Sequence, residues 1–352
     1  MEYKLLCLTC NESYDSSYDS QICKKCHGLL EIEYKFKGEA HKEMVNSFWS
    51  YKNMLPDCSA YKYYDVGLTK VINSRTDENL YLKIETQNPT GSFKDRGSVI
   101  EVAKAKEYKY KEIVCASTGN MAYSIAYYSK LYNIKTNVYI SKDSNPDKIY
   151  NIKKTNNANI IKVNGDFTKA QKLAEEHSYK KHAFLAGDYC YRKEGQKTII
   201  YEILSQIKEV KNIIVPIGNA TLFSGILKSL TELKESYSKI HLPKIIGVQS
   251  KMCKPLYEAY KNNTIVRYEV SKTKADAIAV GYPTFGSQAL EYMKQVNSEI
   301  VIVAEKEMQE EQKNIFNEYG LIVELASAAT IAAYKKLKLN GETVAIITGK
   351  NV

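Results

Sequence analysis

Beyond residue 80 the chain settles into a regular rhythm of apolar and polar positions. Short, nearly continuous apolar runs alternate with longer stretches in which apolar residues recur at helical spacing. The runs LYLKIE, EIVCAS, KTNVYI, ANIIKV, NIIVPI, KIIGVQ, EIVIVA and TVAIIT predict strands. Between them, KDRGSVIEVAKAKEY, GNMAYSIAYYSKLY, DFTKAQKLAEEH, GQKTIIYEILSQIKE and TLFSGILKSLTELKE predict helices. In the first of these the apolar positions are Val99, Ile100, Ala103 and Ala105. Strands alternating with helices of this length predict βαβ units and parallel sheets, an α/β fold. In such sheets a ligand sits where strands run out into helices.

Three strand-to-helix junctions are polar or glycine-rich: Cys115 to Ala122, Val215 to Gly225, and the terminal stretch from Ile346. Each offers backbone N–H groups to an anion at a helix start. No G-x-x-x-x-G-K-[ST] loop occurs, and no G-x-G-x-x-G follows a strand, so the common nucleotide fingerprints are missing.

A fourth feature concerns one side chain. In NPTGSFKDRG, residues 88–97, Pro89 and Gly91 punctuate a turn, and Lys94 opens a predicted helix. A cation at a helix N-terminus meets the wrong end of the macrodipole, which favours the neutral amine. A neutral amine is a nucleophile. With 50 Lys and Arg in the chain, a solvated surface lysine is the alternative reading.

Before residue 80 the pattern is different. Cys7, Cys10, Cys23 and Cys26 form two C-x-x-C knuckles, a spacing that closes a tetrahedral four-thiolate site on a short hairpin. His27 is expected to stand outside that shell, which the four cysteines fill. A ribbon without metal is the alternative. Residues 36–70 are weakly patterned and read as an irregular entry into the main body. Cys58, Cys115, Cys190 and Cys253 are scattered, and Cys115 reads as a buried thiol.

Composition narrows the class. A chain of 352 residues suits two medium domains. Its net charge of +10 is spread along the chain without a long basic block, which points to a solvated surface and to no nucleic-acid partner. No apolar window is long enough to span a membrane, and the N-terminus does not read as a signal peptide, so a cytoplasmic protein with reduced thiols is expected.

Taken together, NPTGSFKDRG, ASTGN, RKEGQKT, VPIGNATL, ELASAA and a terminal TG occur in the order seen in threonine synthases. The chain resembles that family over most of its length from about residue 80. The resemblance implies a two-domain pyridoxal-phosphate enzyme of fold type II, like the tryptophan synthase β chain, here preceded by a zinc ribbon. The expected divisions are a ribbon over 1–40 and a catalytic region over 41–352, of which about 95–170 form the small domain.

The same resemblance assigns roles. Lys94 would carry pyridoxal 5'-phosphate as a Schiff base and shuttle protons, and Asn120 would hydrogen-bond the ring hydroxyl. Gly218, Asn219, Ala220, Thr221 and Leu222 would bind the cofactor phosphate through main-chain N–H groups. Thr348 would meet the pyridine nitrogen. Arg192 and Thr118 would hold the phosphate of the substrate. The reaction implied is the conversion of O-phospho-L-homoserine and water to L-threonine and phosphate, in a homo-oligomer, a dimer. The alternatives are β-replacement or β-elimination on another activated amino acid such as O-phosphoserine, or a non-catalytic homologue, against which the intact Lys94 argues.

The chain departs from the family near the substrate. Ala186 and Gly187 stand where those enzymes show Asn-Ser, Ala279 and Val280 stand in a region that carries an arginine, and YDVGLTK replaces a Gly-x-Thr-Pro-Leu entry. These changes bear on which amino acid is bound, and they predict a weaker hold on a phosphate.

Overall fold

The computed structural model describes residues 2–35, 46–142, 144, 146–236, 241–262 and 273–350. Strands β1 (Tyr3–Cys7), β2 (Ser13–Asp15) and β3 (Leu30–Tyr34) form an antiparallel sheet in the order β2-β1-β3. Residues 36–40 of the expected 1–40 ribbon lie outside the described residues. From residue 46 to residue 70 the chain is largely irregular, as its weak pattern predicts, apart from a 3-10 turn at Phe48–Met54.

Strands β4 (Val71–Asn73) and β5 (Leu80–Ile84) begin a second sheet, and helix α1 (Lys94–Glu107) leaves it. The chain then builds a four-stranded parallel sheet from β6 (Glu112–Ala116), α2 (Asn120–Leu131), β7 (Lys135–Ser141), α3 (Pro146–Lys154), β8 (Ala158–Val163), α4 (Phe167–Lys181) and β9 (Phe184–Leu185). Helix α5 (Cys190–Gln206) returns to the larger sheet. There follow β10 (Asn212–Pro216), α6 (Thr221–Ser236), β11 (Lys244–Ser250), α7 (Pro255–Asn262), α8 (Gly286–Met293), β12 (Ser298–Val303), α9 (Glu305–Tyr319), α10 (Leu325–Lys336) and β13 (Thr343–Ile347). The larger sheet has the order β12-β11-β10-β13-β5-β4 and is parallel except for β4.

Every strand expected from residue 80 onward forms. The pattern does not give β9, α3 and α7 to α10. The strands expected within about 95–170 are β6, β7 and β8, and β9 adds itself to their sheet by pairing with β6.

Helix α1 is buried on all sides, which an apolar stripe does not announce. Val99, Ile100, Ala103 and Ala105 are fully buried, and so are Asp95, Arg96, Ser98 and Glu101. The charges are tolerated because they are paired. Arg96 meets Glu85 through Nε at 2.6 Å and Nη2 at 2.7 Å, and meets Glu202 through Nη1 and Nη2 at 2.7 Å each. Lys83 completes the group with a 2.8 Å contact to Glu202. Such bidentate pairs offset much of the desolvation cost and fix geometry. Gly195 lets α5 approach closely, since a Cβ there would lie 1.9 Å from the carbonyl oxygen of Arg96.

The N-terminal sheet docks on α5 through more buried charge. Glu31 pairs with Lys193 and, at 3.1 Å, with Lys228. Tyr34 Oη donates to Glu194 at 2.5 Å, and Glu194 also meets Lys197 and Lys228. Gln21 donates to the carbonyl of Leu185 at 2.9 Å and accepts from the Tyr191 N–H at 3.2 Å.

Candidate active site and cysteine centre

The turn that presents Lys94 is shaped by its neighbours in the sequence. The Asp95 carboxylate accepts from the Thr90 N–H at 2.7 Å, from Thr90 Oγ1 at 2.5 Å and from Ser124 Oγ at 2.5 Å. Burial pushes its carboxyl up to about 6 despite these donors. The turn is also fastened to the end of β13, with the Phe93 N–H donating to the Thr348 carbonyl at 2.9 Å. The lysine turn and the terminal junction thus meet where β13 ends.

All three junctions open on one cleft of about 720 Å³ at the C-terminal ends of β6, β10 and β13. Lys94, Thr118, Asn120, Gly218, Asn219, Ala220, Thr221, Leu222 and Thr348 all line it. Lys94 begins α1, as its position in the motif predicts. Burial pushes its amine below the ordinary lysine value, Asp188 and Glu324 pull it back, and nearby Arg192 adds to the lowering. Its side chain is 21% exposed, so the amine reaches the cleft.

The loop before α6 has a backbone that can receive an anion. Ala220 sits at φ 61°, in the left-handed region, where an alanine is strained. This geometry turns successive N–H groups the same way, and the first turn of α6 adds N–H groups that have no intrahelical acceptor. Gly218 allows the approach of the 273–278 segment, as a Cβ there would lie 2.6 Å from the Ala277 carbonyl oxygen.

Asn120 begins α2 without capping it: the N-cap is Gly119 and makes no side-chain cap. Its Nδ2 donates to Glu324 Oε2 at 3.4 Å. Thr348 is buried and donates to Glu324 Oε1 at 3.0 Å, with Ser327 Oγ also 3.0 Å away. Glu324 lines the cleft as well. It belongs to the ELASAA string, but nothing in the linear pattern ties it to Thr348.

Arg192 is not brought to the cleft. Its Nε donates to the Gly187 carbonyl at 2.7 Å, Nη1 to the Lys94 carbonyl at 3.3 Å, and Nη2 to Ser98 Oγ at 3.1 Å and to Glu101. Its side chain has no exposed surface. The expected grip on a substrate phosphate therefore has no free guanidinium edge. Glu101, which also accepts the Gly187 N–H at 3.1 Å, holds the arginine back. Burial pushes the Glu101 carboxyl up to about 7, against the pull of Arg192.

In its place the cleft contains an acid, Asp188. Its carboxylate accepts from Asn219 Nδ2 at 2.7 Å and from Thr221 Oγ1 at 2.6 Å, and lies 3.9 Å from Lys94 Nζ. Burial raises its pKa, but Lys94, Arg192 and the two hydrogen bonds outweigh this and hold it below the ordinary carboxylate value. The sequence signal was present: an acidic residue inside an otherwise small and apolar stretch, FLAGDYCYR.

The four cysteines converge as their spacing predicts. Their Sγ atoms lie within 4.8 Å of one another, with Cys7 to Cys26 at 3.4 Å and Cys10 to Cys23 at 3.6 Å. A tetrahedral zinc shell with Zn–S of about 2.3 Å places its sulfurs roughly 3.8 Å apart, so the donor set fits that ion. His27 is not part of the group.

The model of the family described as "Pyridoxal-phosphate dependent enzyme" matches residues 65–349. The threonine synthase of Methanocaldococcus jannaschii is 32% identical, over 95% of this chain and 87% of that protein. A catabolic L-threonine dehydratase of Staphylococcus aureus is 31% identical, over 79% of this chain and 81% of its own. Among solved structures, maize serine racemase superposes with a TM-score of 0.72 at 22% identity, covering 81% of this chain and 88% of that one.

Proposed function

Because the chain belongs to the threonine synthase family of fold type II pyridoxal-phosphate enzymes, we infer that it is a carbon–oxygen lyase acting on a small L-amino acid. One observation carries this reading: the Lys94 amine shares a cleft with an anion cradle at 218–222 and a buried hydroxyl at Thr348. The residues present fit the cofactor. Lys94 would hold its aldehyde carbon, the N–H groups of 218–222 its phosphate, Asn120 its ring hydroxyl and Thr348 its ring nitrogen. Bound there, pyridoxal phosphate supplies an electron sink for charge that develops at the substrate's Cα.

The chain's own part is to bind, orient and move protons. Lys94, with its amine held towards the neutral form, takes and returns protons near Cα and the neighbouring carbons. Thr118, beside Gly119 in the loop after β6, faces the same space and can donate to the substrate. The names of the curated relatives favour O-phospho-L-homoserine and water as substrates, with L-threonine and phosphate as products. The engagement of Arg192 with Glu101 favours a second reading, elimination on a different activated amino acid.

Two further assignments accompany this reading. Cys7, Cys10, Cys23 and Cys26 hold one structural zinc, and the enzyme works in the cytoplasm as a dimer on a free amino acid. No helix among the described residues is long and apolar enough to cross a membrane. The test is to trap the cofactor with borohydride, map the labelled peptide, and assay phosphate and 2-oxo acid release across phosphorylated and free hydroxy amino acids. A labelled peptide that lacks Lys94 refutes the assignment.

A further inference from the structure

We propose that Glu324, acting through the hydroxyl of Thr348, holds the ring nitrogen of the bound cofactor in its protonated form. This rests on the reading above, in which Thr348 meets that nitrogen, and deepens it.

One carboxylate touches two residues of the cofactor site. Glu324 Oε1 accepts from Thr348 Oγ1 at 3.0 Å, and Oε2 accepts from Asn120 Nδ2 at 3.4 Å. Its backbone is pinned beside them, with its N–H donating to the Gly349 carbonyl at 3.0 Å. Gly349 permits the approach, since a Cβ there would lie 3.0 Å from Asn120 Nδ2 and 3.2 Å from Glu324 Oε1. The surroundings suit a carboxylate anion. Glu324 is the N-cap of α10, at the positive end of that helix, and it accepts from two donors. The other acids of the cleft are placed differently: Asp188 is held by Asn219 and Thr221, and Asp276 is exposed.

The hydroxyl protons can be counted. Thr348 and Ser327 have one each, and their oxygens are 3.0 Å apart. An ionised Glu324 has none. If Thr348 gave its proton to Ser327, two oxygens with only lone pairs would face each other across 3.0 Å at Glu324. Thr348 therefore donates to Glu324. Ser327 donates either to Thr348 or to the Gly349 carbonyl at 3.1 Å, and neither choice alters that assignment. Thr348 then offers the cofactor only lone pairs. A ring nitrogen placed against it is stabilised when it carries a proton to donate, and is left facing a lone pair when it does not. The carboxylate thus acts on the ring at one remove, through a chain of two hydrogen bonds. A protonated ring draws electron density more strongly, so it holds charge that develops at the substrate's Cα more firmly. Glu324 is a positioning residue: it fixes which way a hydroxyl points. In Glu324→Gln the side-chain amide can donate to Thr348, which frees the Thr348 proton for an unprotonated nitrogen.

Nitrogen-15 NMR of the holoenzyme, loaded with ring-labelled pyridoxal 5'-phosphate, reads this protonation directly. The same compound joined to a simple alkylamine, in acid and in base, supplies the two reference positions. Wild type at neutral pH is expected at the protonated position. Glu324→Gln is expected to move towards the unprotonated one, the ratio of protonated to unprotonated ring falling by about tenfold or more, which is one pKa unit. Thr348→Val, which removes the hydroxyl between them, is expected to move the same way. A wild-type nitrogen at the unprotonated position overturns the proposal, and that result needs no variant to fold. A Glu324→Gln signal that stays at the protonated position overturns it as well. If borohydride labels no peptide containing Lys94, the lyase reading falls first. If Lys94 is labelled and the wild-type ring is unprotonated, only the role of Glu324 falls.

Discussion

The amine of Lys94 lies 3.9 Å from the carboxylate of Asp188, inside the cleft where three strand ends meet. The pair balances two opposed needs. Burial holds Lys94 towards the neutral amine, and Asp188 pulls it back towards the ammonium. Capture of an aldehyde cofactor needs the neutral form. The rate of covalent capture by the apoenzyme should therefore rise with pH and level off, with a midpoint below the ordinary lysine value of 10.5. Asp188→Asn removes a charge that favours the ammonium, so the midpoint should move to lower pH. Stopped-flow absorbance at fixed cofactor concentration measures both, and a midpoint that moves upward contradicts the assignment.

Lys94→Ala should abolish the visible band that borohydride can trap. Turnover should fall by roughly 10²–10⁴-fold or more, since a positioned proton carrier is lost as well. Mass spectrometry of the reduced wild-type protein should place the label on the peptide that begins α1.

Glu31→Gln tests how the N-terminal sheet is held. The substitution leaves Lys193 and Lys228 without a buried carboxylate from β3. Breaking a buried pair on one side costs roughly 3–5 kcal/mol. Urea unfolding should show a clearly lower midpoint, while Glu33→Gln, at an exposed position of the same strand, should unfold like wild type.

Two glycines should behave oppositely on replacement by alanine. At Gly195 the new Cβ would fall 1.9 Å from the Arg96 carbonyl, between two helices that cannot part without breaking the Arg96 network. Gly195→Ala should give insoluble or strongly destabilised protein. At Gly119 nothing lies within 4 Å of the added atom, because the position opens into the cleft. Gly119→Ala should fold normally, as circular dichroism and melting will show, and raise KM.

Protein purified without chelator should contain one zinc per chain. Cys7→Ser should lose the metal and loosen the first strands, because a four-thiolate site contributes its binding energy to local folding. The visible band of the cofactor should survive, since none of its residues comes from that sheet.

What the linear chain discloses here is what local physics decides. The strands beyond residue 80 are legible because a buried strand must be apolar along its length. Lys94 is legible because a Pro-Thr-Gly turn must precede it and α1 must begin at it. The cysteine knuckles are legible because two residues between thiols is the span that one metal shell requires. The junctions that contain Asn120 and the 218–222 loop follow from the rule that ligands gather where parallel strands end, and the resemblance to threonine synthases singles out the residues within them.

The identity of the substrate subsite belongs to the tertiary structure. Charged residues in a sequence read as solvated unless their partners are known, and here the partners are distant. Glu101 and Arg192 are 91 residues apart and meet only because α1 and α5 pack backbone to backbone. Glu324 reaches Thr348 only when α10 starts beside the end of β13. Asp188 finds Asn219 and Thr221 only when β9 has joined one sheet and β10 the other. The sequence by itself determined the strands beyond residue 80, the turn that sets Lys94 at the start of α1 and the convergence of the four cysteines, because turns, periodicity and short spacings act over a few residues. Which charges face the cleft and which cancel inside the protein was decided by helix packing, because a buried ion pair is a property of two surfaces and of neither chain segment alone.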